Sequence, residues 1–222
     1  AIGITGTLFE AFAREAKVVM VDVDKEELGY NTVHVELPIR CDAKTFLAEM
    51  IRQAPATPVA ASDLWREKCC RYQELNRIPL SWREHPEYVN PYAFVDFLSE
   101  ELNSDDTVAV DGTGTVFYIS FQAFRVKQGQ RLVCSTGIAA MGSGLPESVG
   151  ASFATGGRRT VCLCGDGSLQ LNIQELQTVF HHGLNVKVFV FNNGGYLAIR
   201  HTQDQFLEGR HVGSNAAGGV SL

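Results

Sequence analysis

The stretch VCLCGDGSLQLNIQELQTVFHHGLNVKVFVFNNGGY, residues 161–196, decides the fold of this chain. Thr160–Cys164 is a short apolar run with β-branched residues, which predicts a strand buried on both faces. A Gly-Asp-Gly turn follows it, and apolar residues then recur with helical spacing over 169–180, with Gly183 placed as a C-terminal cap. Val186–Phe191 predicts a second buried strand. The stretch therefore predicts one β-α-β unit.

Polar turns follow both predicted strands, Gly165-Asp166-Gly167 after the first and Asn192-Asn193-Gly194-Gly195 after the second. The carboxyl ends of parallel strands meet at one edge of a sheet, so we expect the Asp166 carboxylate and the Asn193 amide oxygen to lie close together. Oxygen ligands beside glycine-rich backbone suit Mg²⁺ that carries a diphosphate, because Mg²⁺ usually completes its octahedron with phosphates and water. Each turn alone is equally typical of an ordinary loop, and the pair is the more specific signal.

The pairing of GDG at 165–167 with NN at 192–193 resembles the thiamine diphosphate signature of 2-oxoacid decarboxylases and acetolactate synthases. Asp111-Gly112-Thr113-Gly114-Thr115, after the predicted buried strand Thr107–Val110, resembles the family's first diphosphate loop, although a flexible glycine turn is the alternative.

A third segment carries the same resemblance. STGIAAMGSGLPESVGASFA, residues 135–154, follows the predicted strand Leu132–Cys134 and resembles the family's G-x-G-x-M-G-x-G-L-P-A-A-x-G-A, with departures at Ala139 and Glu147. The alternative is a helix start built of small residues that permits tight packing of the helix on the sheet.

The resemblance implies a cofactor site for thiamine diphosphate and Mg²⁺. Asp166, the Asn193 side chain and the Gly195 carbonyl would be the metal ligands. The Ala139 carbonyl would accept a hydrogen bond from the cofactor's 4′-amino group, and Met141 would be an apolar wedge below the thiazolium ring. The diphosphate would be held by Gly114, Thr115, Gly167 and Ser168. The full cofactor-binding set is Gly114, Thr115, Ala139, Met141, Gly165, Gly167, Ser168, Asn193, Gly195 and Tyr196.

The resemblance also implies the chemistry, which belongs to the cofactor. A thiazolium ylid attacks a 2-oxoacid, CO₂ leaves, and the resulting enamine is protonated or joined to a second carbonyl. In the family, the glutamate that promotes ylid formation lies on a separate pyrimidine-binding domain of the partner subunit, and these 222 residues hold no such domain. We therefore expect a fragment of a homodimer or tetramer that has no catalytic residue of its own and is inactive alone. A non-catalytic cofactor-binding or assembly module is the alternative.

The substrate stays open at this point. Thr202 stands where acetolactate synthases carry a tryptophan that helps to choose the second substrate, and NNGGYLAIR is about as close to the benzoylformate decarboxylase type.

The fold class implied is α/β, a doubly wound parallel sheet of the thiamine diphosphate-binding type, preceded by a remnant of a Rossmann-like middle domain. Residues 1–55 would be the end of that middle domain, 56–89 a linker and helix, and 90–222 the C-terminally truncated cofactor domain. The remaining predicted elements are strands at Ala16–Asp24 (buried) and Val33–Leu37, a helix at Asp42–Gln53 with Asp42 as N-cap, a linker at Ala54–Ala61, a helix from Ser62 to Asn76, a helix start at Asn90-Pro91 and a mobile Gly/Ala/Ser tail after Tyr196.

Composition limits the possible partners. The chain is 45% hydrophobic and 20% charged with a net charge of −6, which gives no basic footprint for nucleic acid. No apolar run approaches the roughly 20 residues that cross a bilayer, and no secretory signal is evident at the N-terminus. The six cysteines lack zinc-type spacing. Cys162 and Cys164 alternate along a predicted strand, so we expect them to face the same way and to be reduced and buried, as in the cytoplasm.

Overall fold

The computed structural model describes residues 8–29, 33–54, 63–75, 77–84 and 87–220. Ser62, Asn76 and most of the predicted linker lie outside these residues. The chain divides into two units, residues 1–72 and 73–222, and the predicted boundaries at 55 and 89 stay predictions. No helix in the described part of the chain is both long and apolar enough to cross a membrane.

The first unit contains a small parallel sheet. Strand β1 (Val19–Asp22) is followed by helix α1 (Lys25–Gly29), strand β2 (Leu37–Arg40) and helix α2 (Ala43–Gln53), and a 3₁₀ turn at Phe9–Ala11 precedes them. Val19 pairs with Leu37, so the two strands run parallel. Helix α3 (Asp63–Leu75) begins in this unit.

The Asp42 N-cap is confirmed, because its carboxylate accepts the Lys44 N–H at 2.8 Å. Two strand predictions in this unit are wrong. The second strand lies at Leu37–Arg40 and not at Val33–Leu37, and β1 is exposed or half-buried because a two-stranded sheet covers little of either face. The Rossmann-like remnant stays a prediction.

The second unit holds a four-stranded parallel sheet in the order β4-β3-β5-β6. Its strands are β3 (Thr107–Val110), β4 (Arg131–Val133), β5 (Thr160–Gly165) and β6 (Val186–Phe191). Its helices are α4 (Pro91–Glu101), α5 (Gly114–Ala123), α6 (Gly144–Ala154), α7 (Asp166–Leu169), α8 (Glu175–His181) and α9 (Leu197–Phe206), and Leu80–Arg83 forms a 3₁₀ turn.

Helices cover both faces of this sheet. Successive side chains of β5 point to opposite faces, so the strand contributes to a core on each side. Val161 and Leu163 pack into a core with residues of α4 and α5, whereas Cys162 and Cys164 pack with Leu145 of α6 on the other face. The predicted doubly wound α/β fold is therefore confirmed. Helix α4 also begins as predicted, since the Asn90 side chain accepts the N–H groups of Tyr92 and Ala93 at 3.0 and 3.2 Å.

Two predictions around the defining stretch need correction. The helix predicted over 169–180 is interrupted: α7 ends at Leu169 and α8 begins at Glu175. The turn between them is held by Asn172, whose side chain donates to the Gly142 carbonyl at 2.8 Å. Strand β6 lies at the edge of the sheet and is only half-buried. Cys162 and Cys164, by contrast, are free and buried on the same face of the sheet, as predicted. Gly183 does cap α8, with φ at +58°.

The prediction of a mobile tail is also wrong for the described residues after α9. Ser214 is fully buried, and its carbonyl accepts the Tyr196 N–H at 2.9 Å. The Gly213 N–H and Gly218 carbonyl close a loop at 2.9 Å. Local composition suggested mobility, and these contacts with α9 and the asparagine turn override it.

Candidate functional site

The three turns that follow β3, β5 and β6 converge at the carboxyl edge of the sheet. Thr115 comes from the first turn, Asp166 from the second and Asn193 from the third. All three line one small cleft of about 80 Å³, together with Met141 of the loop before α6. The sheet order explains the convergence, because β5 lies between β3 and β6. Two larger cavities, of about 540 and 580 Å³, are lined mostly by aromatic and aliphatic side chains.

The Asp166 carboxylate organises the turns around it. It is 7% exposed, and it accepts the N–H groups of Gly167 at 2.8 Å, Gly195 at 2.9 Å and Asn193 at 3.2 Å. The structure thus brings the acidic turn and the asparagine turn into direct contact. A carboxylate offers about four acceptor positions, so three hydrogen bonds leave room for a cation.

Asn193 links the third turn to the first. Its side-chain nitrogen donates to the Thr115 hydroxyl at 3.1 Å, which leaves the amide oxygen as an available ligand. The Gly195 carbonyl accepts the Leu197 N–H at 3.0 Å and keeps a second lone pair. Together with Asp166 this is a set of hard oxygen donors, the kind that Mg²⁺ prefers. Within the described residues, no group of three or more His, Cys, Asp or Glu side chains could hold a metal ion, so such a cation would need amide and main-chain oxygens in addition to the Asp166 carboxylate.

Glycine is required at two positions of the cleft. A Cβ atom on Gly167 would lie 2.3 Å from the Tyr196 ring, and one on Gly195 would lie 2.5 Å from the Ser214 carbonyl oxygen. Gly195 also has φ at +114°, a conformation that other residues rarely adopt. Tyr196 therefore closes over the acidic turn through the space that Gly167 leaves.

The remaining predicted residues occupy different places. The Ser168 hydroxyl accepts the Gly142 N–H at 2.6 Å, which fixes the loop that carries Met141 against α7. Gly114, Gly165 and Tyr196 line the cleft with the residues above, whereas Ala139 does not. Ala139 is exposed and has φ at +55°, an unusual value for a residue with a side chain.

Comparisons with known proteins fit this geometry. Residues 112–220 match the family described as "Thiamine pyrophosphate enzyme, C-terminal TPP binding domain". The matched region contains every residue of the predicted site. Similar proteins include acetolactate synthase 2, chloroplastic, of Brassica napus, which is 33% identical over 91% of this chain and 31% of its own length. The chain belongs to the acetolactate synthase-like family of thiamine diphosphate enzymes.

Other relatives agree. The acetolactate synthase large subunit of Cyanidium caldarium is 30% identical over 97% of this chain and 36% of its own length. Acetolactate synthase isozyme 1 large subunit of Escherichia coli K12 is 29% identical over 90% of this chain and 34% of its own length. The chain thus spans about a third of the length of these acetolactate synthases.

Two acids, one fully buried and one half-buried, lie close together beside the segment that resembles the family's glycine-rich loop. Asp111 is fully buried and accepts the Gly144 N–H at 3.3 Å, and Glu147 of α6 is half-buried. Within the part of the chain that the structure describes, one oxygen of each carboxyl group has no hydrogen-bond partner. Burial raises the pKa of the Asp111 carboxyl, and burial together with the nearby Asp111 charge raises the pKa of the Glu147 carboxyl. The departure at Glu147 therefore places a second, half-buried acid close to Asp111.

Sequence reasoning missed three polar residues that shape the asparagine turn. Arg200 and Gln203 lie on α9, and Ser214 lies in the loop after it. Gln203 and Ser214 are both buried, and the Ser214 hydroxyl donates to the Gln203 side-chain oxygen at 2.7 Å. One signal in the sequence was available. Arg200 lies in the first turn of the helix after NNGGY, whereas basic residues are favoured at the C-terminal end of a helix, so its position indicates a specific partner.

Proposed function

We propose that the cleft between the three turns binds the diphosphate of thiamine diphosphate through Mg²⁺, and that this chain contributes to an enzyme that decarboxylates a 2-oxoacid. The observation that supports it most directly is the contact of Asp166 with the Asn193 turn, at 3.2 and 2.9 Å, inside the region that matches the family. The fit of the donor set to a hard cation supports the metal.

The chain's residues would divide the work between metal and diphosphate. Asp166, the Asn193 amide oxygen and the Gly195 carbonyl would hold Mg²⁺, and Gly114 and Thr115 would contact the diphosphate from the first turn. Met141 lines the cleft and would support the bound ring from below. Gly167 and Ser168 donate or accept within the protein already, through Asp166 and Gly142, so we expect their main role to be shaping the turn. The bound cofactor would supply the electron sink for loss of CO₂.

The fate of the substrate is also part of the proposal. The enzyme would protonate the decarboxylated product or join it to a second carbonyl compound. We propose a homodimer or tetramer, in which a partner subunit completes the cofactor site. Thr202 is exposed on α9 and its hydroxyl donates to the Ala198 carbonyl at 3.2 Å. It therefore offers no bulky side chain for selecting an acceptor, which favours a reaction other than acetolactate synthesis.

Calorimetry tests the first part of this proposal. The intact protein is titrated with thiamine diphosphate in Mg²⁺ and again in EDTA. Saturable binding in Mg²⁺ that is lost in EDTA supports the site, and equal behaviour in both buffers would contradict it. Incubation with pyruvate or benzoylformate, followed by measurement of CO₂, aldehyde and acetolactate, then identifies the reaction. Binding without CO₂ release from either acid would favour the non-catalytic module.

A further inference from the structure

Arg200 lies on the first turn of α9 and points back at the asparagine turn. Its guanidinium donates to the Asn193 and Gly194 carbonyls, both at 2.9 Å, and to the Ser214 carbonyl at 3.1 Å. Among the described residues no carboxylate forms an ion pair with it. Its positive charge is therefore directed at three main-chain carbonyl oxygens. A planar guanidinium suits this task because it presents several donors in a fixed fork.

The same turn is held from its other side by Asp166. The peptide group between residues 194 and 195 accepts from Arg200 through its carbonyl and donates to Asp166 through its N–H at 2.9 Å. Each charged group polarises this peptide in the same direction, so the two hydrogen bonds strengthen one another. The peptide thus bridges a cation and an anion, and it directly precedes the peptide group that carries the Gly195 carbonyl.

Arg200 also connects the turn to the loop after α9. The Ser214 carbonyl that Arg200 contacts accepts the Tyr196 N–H as well, at 2.9 Å. The Gln203 side chain secures this loop by donating to the Val212 carbonyl at 2.9 Å. The absence of a side chain at Gly195 permits this close approach, since a Cβ there would meet both the Ser214 oxygen and the Arg200 guanidinium.

We propose that Arg200 is a positioning residue that orients the asparagine turn for cation binding. The inference rests on the proposed function, because the cation is the one assigned to Asp166, Asn193 and Gly195. Arg200 would touch neither the metal nor the cofactor. It would fix the two main-chain carbonyls beside the ligands and hold the Ser214 loop against them.

The test compares Arg200→Met with wild-type protein and with a matched control. Methionine keeps much of the apolar stem and removes all the hydrogen bonds. Arg210→Met makes the same change at an exposed residue four positions after the end of α9. At fixed thiamine diphosphate, calorimetry gives the Mg²⁺ concentration for half-saturation. Residues that orient metal ligands typically cost 10- to 100-fold in metal affinity when removed, so we expect an increase of about tenfold or more for Arg200→Met and none for Arg210→Met.

Arg200→Lys provides the conservative variant. One ammonium cannot reproduce the planar fork, so we expect an intermediate increase in the Mg²⁺ requirement. Amide hydrogen exchange without any ligand adds a readout that is independent of the cofactor. The Tyr196 and Gly195 amides should exchange faster in Arg200→Met. Arg200 contacts the Ser214 carbonyl that accepts from Tyr196, and it contacts the carbonyl of the peptide group whose N–H is that of Gly195. If Arg200→Met does not fold, the lysine variant supplies both measurements.

The outcomes separate the two proposals. If wild-type protein binds no thiamine diphosphate in Mg²⁺, the proposed function fails. If wild-type protein binds and Arg200→Met has the same Mg²⁺ requirement, the positioning role of Arg200 is wrong while the proposed function stands. Faster exchange with an unchanged Mg²⁺ requirement also overturns it, since Arg200 would then be only a structural residue of the loop.

Discussion

Replacing each of the two side-chain ligands by alanine should give two different results. Asp166→Ala removes the acceptor of three main-chain N–H groups at a site that is 7% exposed. Asn193→Ala removes an exposed side chain that makes one hydrogen bond, to Thr115 at 3.1 Å. Both changes should abolish or strongly weaken Mg²⁺-dependent binding of thiamine diphosphate. Only the first should also destabilise the protein.

The magnitudes follow from the hydrogen bonds lost. Bonds to a charged acceptor contribute about 1.5–3 kcal/mol each, and relaxation of the turn recovers part of that, so Asp166→Ala should lower the free energy of unfolding by about 3–5 kcal/mol. The exposed amide-to-hydroxyl bond of Asn193 contributes about 0.5 kcal/mol. For a chain of this size, 1 kcal/mol moves Tm by about 2–4 °C. Asp166→Ala should therefore melt about 6–20 °C lower, and Asn193→Ala within about 2 °C of wild type.

Scanning calorimetry in metal-free buffer measures the stability, and titration calorimetry in Mg²⁺ measures the affinity. Asn193→Ala is the cleaner test of the metal site, because this variant should be nearly as stable as wild type and a loss of affinity would then not result from unfolding. Asp166→Asn is a useful control, since its amide oxygen can still accept some of the N–H groups. Wild-type Mg²⁺ dependence in Asn193→Ala would refute its role as a ligand. An unchanged Tm in Asp166→Ala would refute the reasoning from the three hydrogen bonds.

Four further predictions use other parts of the chain. Ala139→Gly should raise the free energy of unfolding by about 0.5–1 kcal/mol in urea titrations, because relief of φ at +55° outweighs the flexibility of glycine. Gly167→Ala should lower it by about 1–3 kcal/mol in the same titrations, since its Cβ would meet the Tyr196 ring at 2.3 Å. Burial and Asp111 hold the pKa of the Glu147 carboxyl above its ordinary 4.5, so stability should fall as pH rises above 4.5 and through the raised pKa, and the Tm advantage of Glu147→Gln over wild type should grow across that interval. A polypeptide of these 222 residues alone, given thiamine diphosphate, Mg²⁺ and pyruvate, should release CO₂ far more slowly than the roughly 1–10³ s⁻¹ of typical enzymes, and a rate in that range would place the activating acid within this chain.

Local patterns predicted the parts of the fold that local physics determines. The buried strand Thr107–Val110, the strand Val186–Phe191 and the Asn90 cap all follow from short runs of side chains and occur where they were predicted. The contact of Asp166 with the Asn193 turn needed one further rule, that parallel strands end at one edge. Chain topology therefore supplied the juxtaposition without any knowledge of distances.

The parts that sequence reasoning missed depend on contacts between distant residues. Apolar spacing predicts one helix over 169–180, and no local signal shows that Asn172 will turn away to reach Gly142. The glycine-rich tail has the composition of a mobile segment, yet Ser214 is held by Tyr196 and Arg200. Each such contact gives a hydrogen bond to a main-chain group that would otherwise be unpaired. The stabilisation cannot be predicted from the sequence until the positions of both partners are known.

The two departures from the family pattern, at Ala139 and Glu147, carry costs of different physical kinds. The cost at Ala139 is conformational, because a side chain occupies a left-handed backbone position. The cost at Glu147 is electrostatic, because a second carboxyl group lies close to the buried Asp111. The conformational cost at Ala139 does not depend on pH, because no proton is bound or released. The cost of burying the Glu147 carboxyl increases as pH rises, because the group becomes charged. The gain in Tm from Ala139→Gly should therefore be constant across pH, and that from Glu147→Gln should grow as pH rises above 4.5. If the two variants showed the same pH dependence, one shared interaction would determine the stability of both the Ala139 loop and α6. The separation into a conformational and an electrostatic cost would then be wrong.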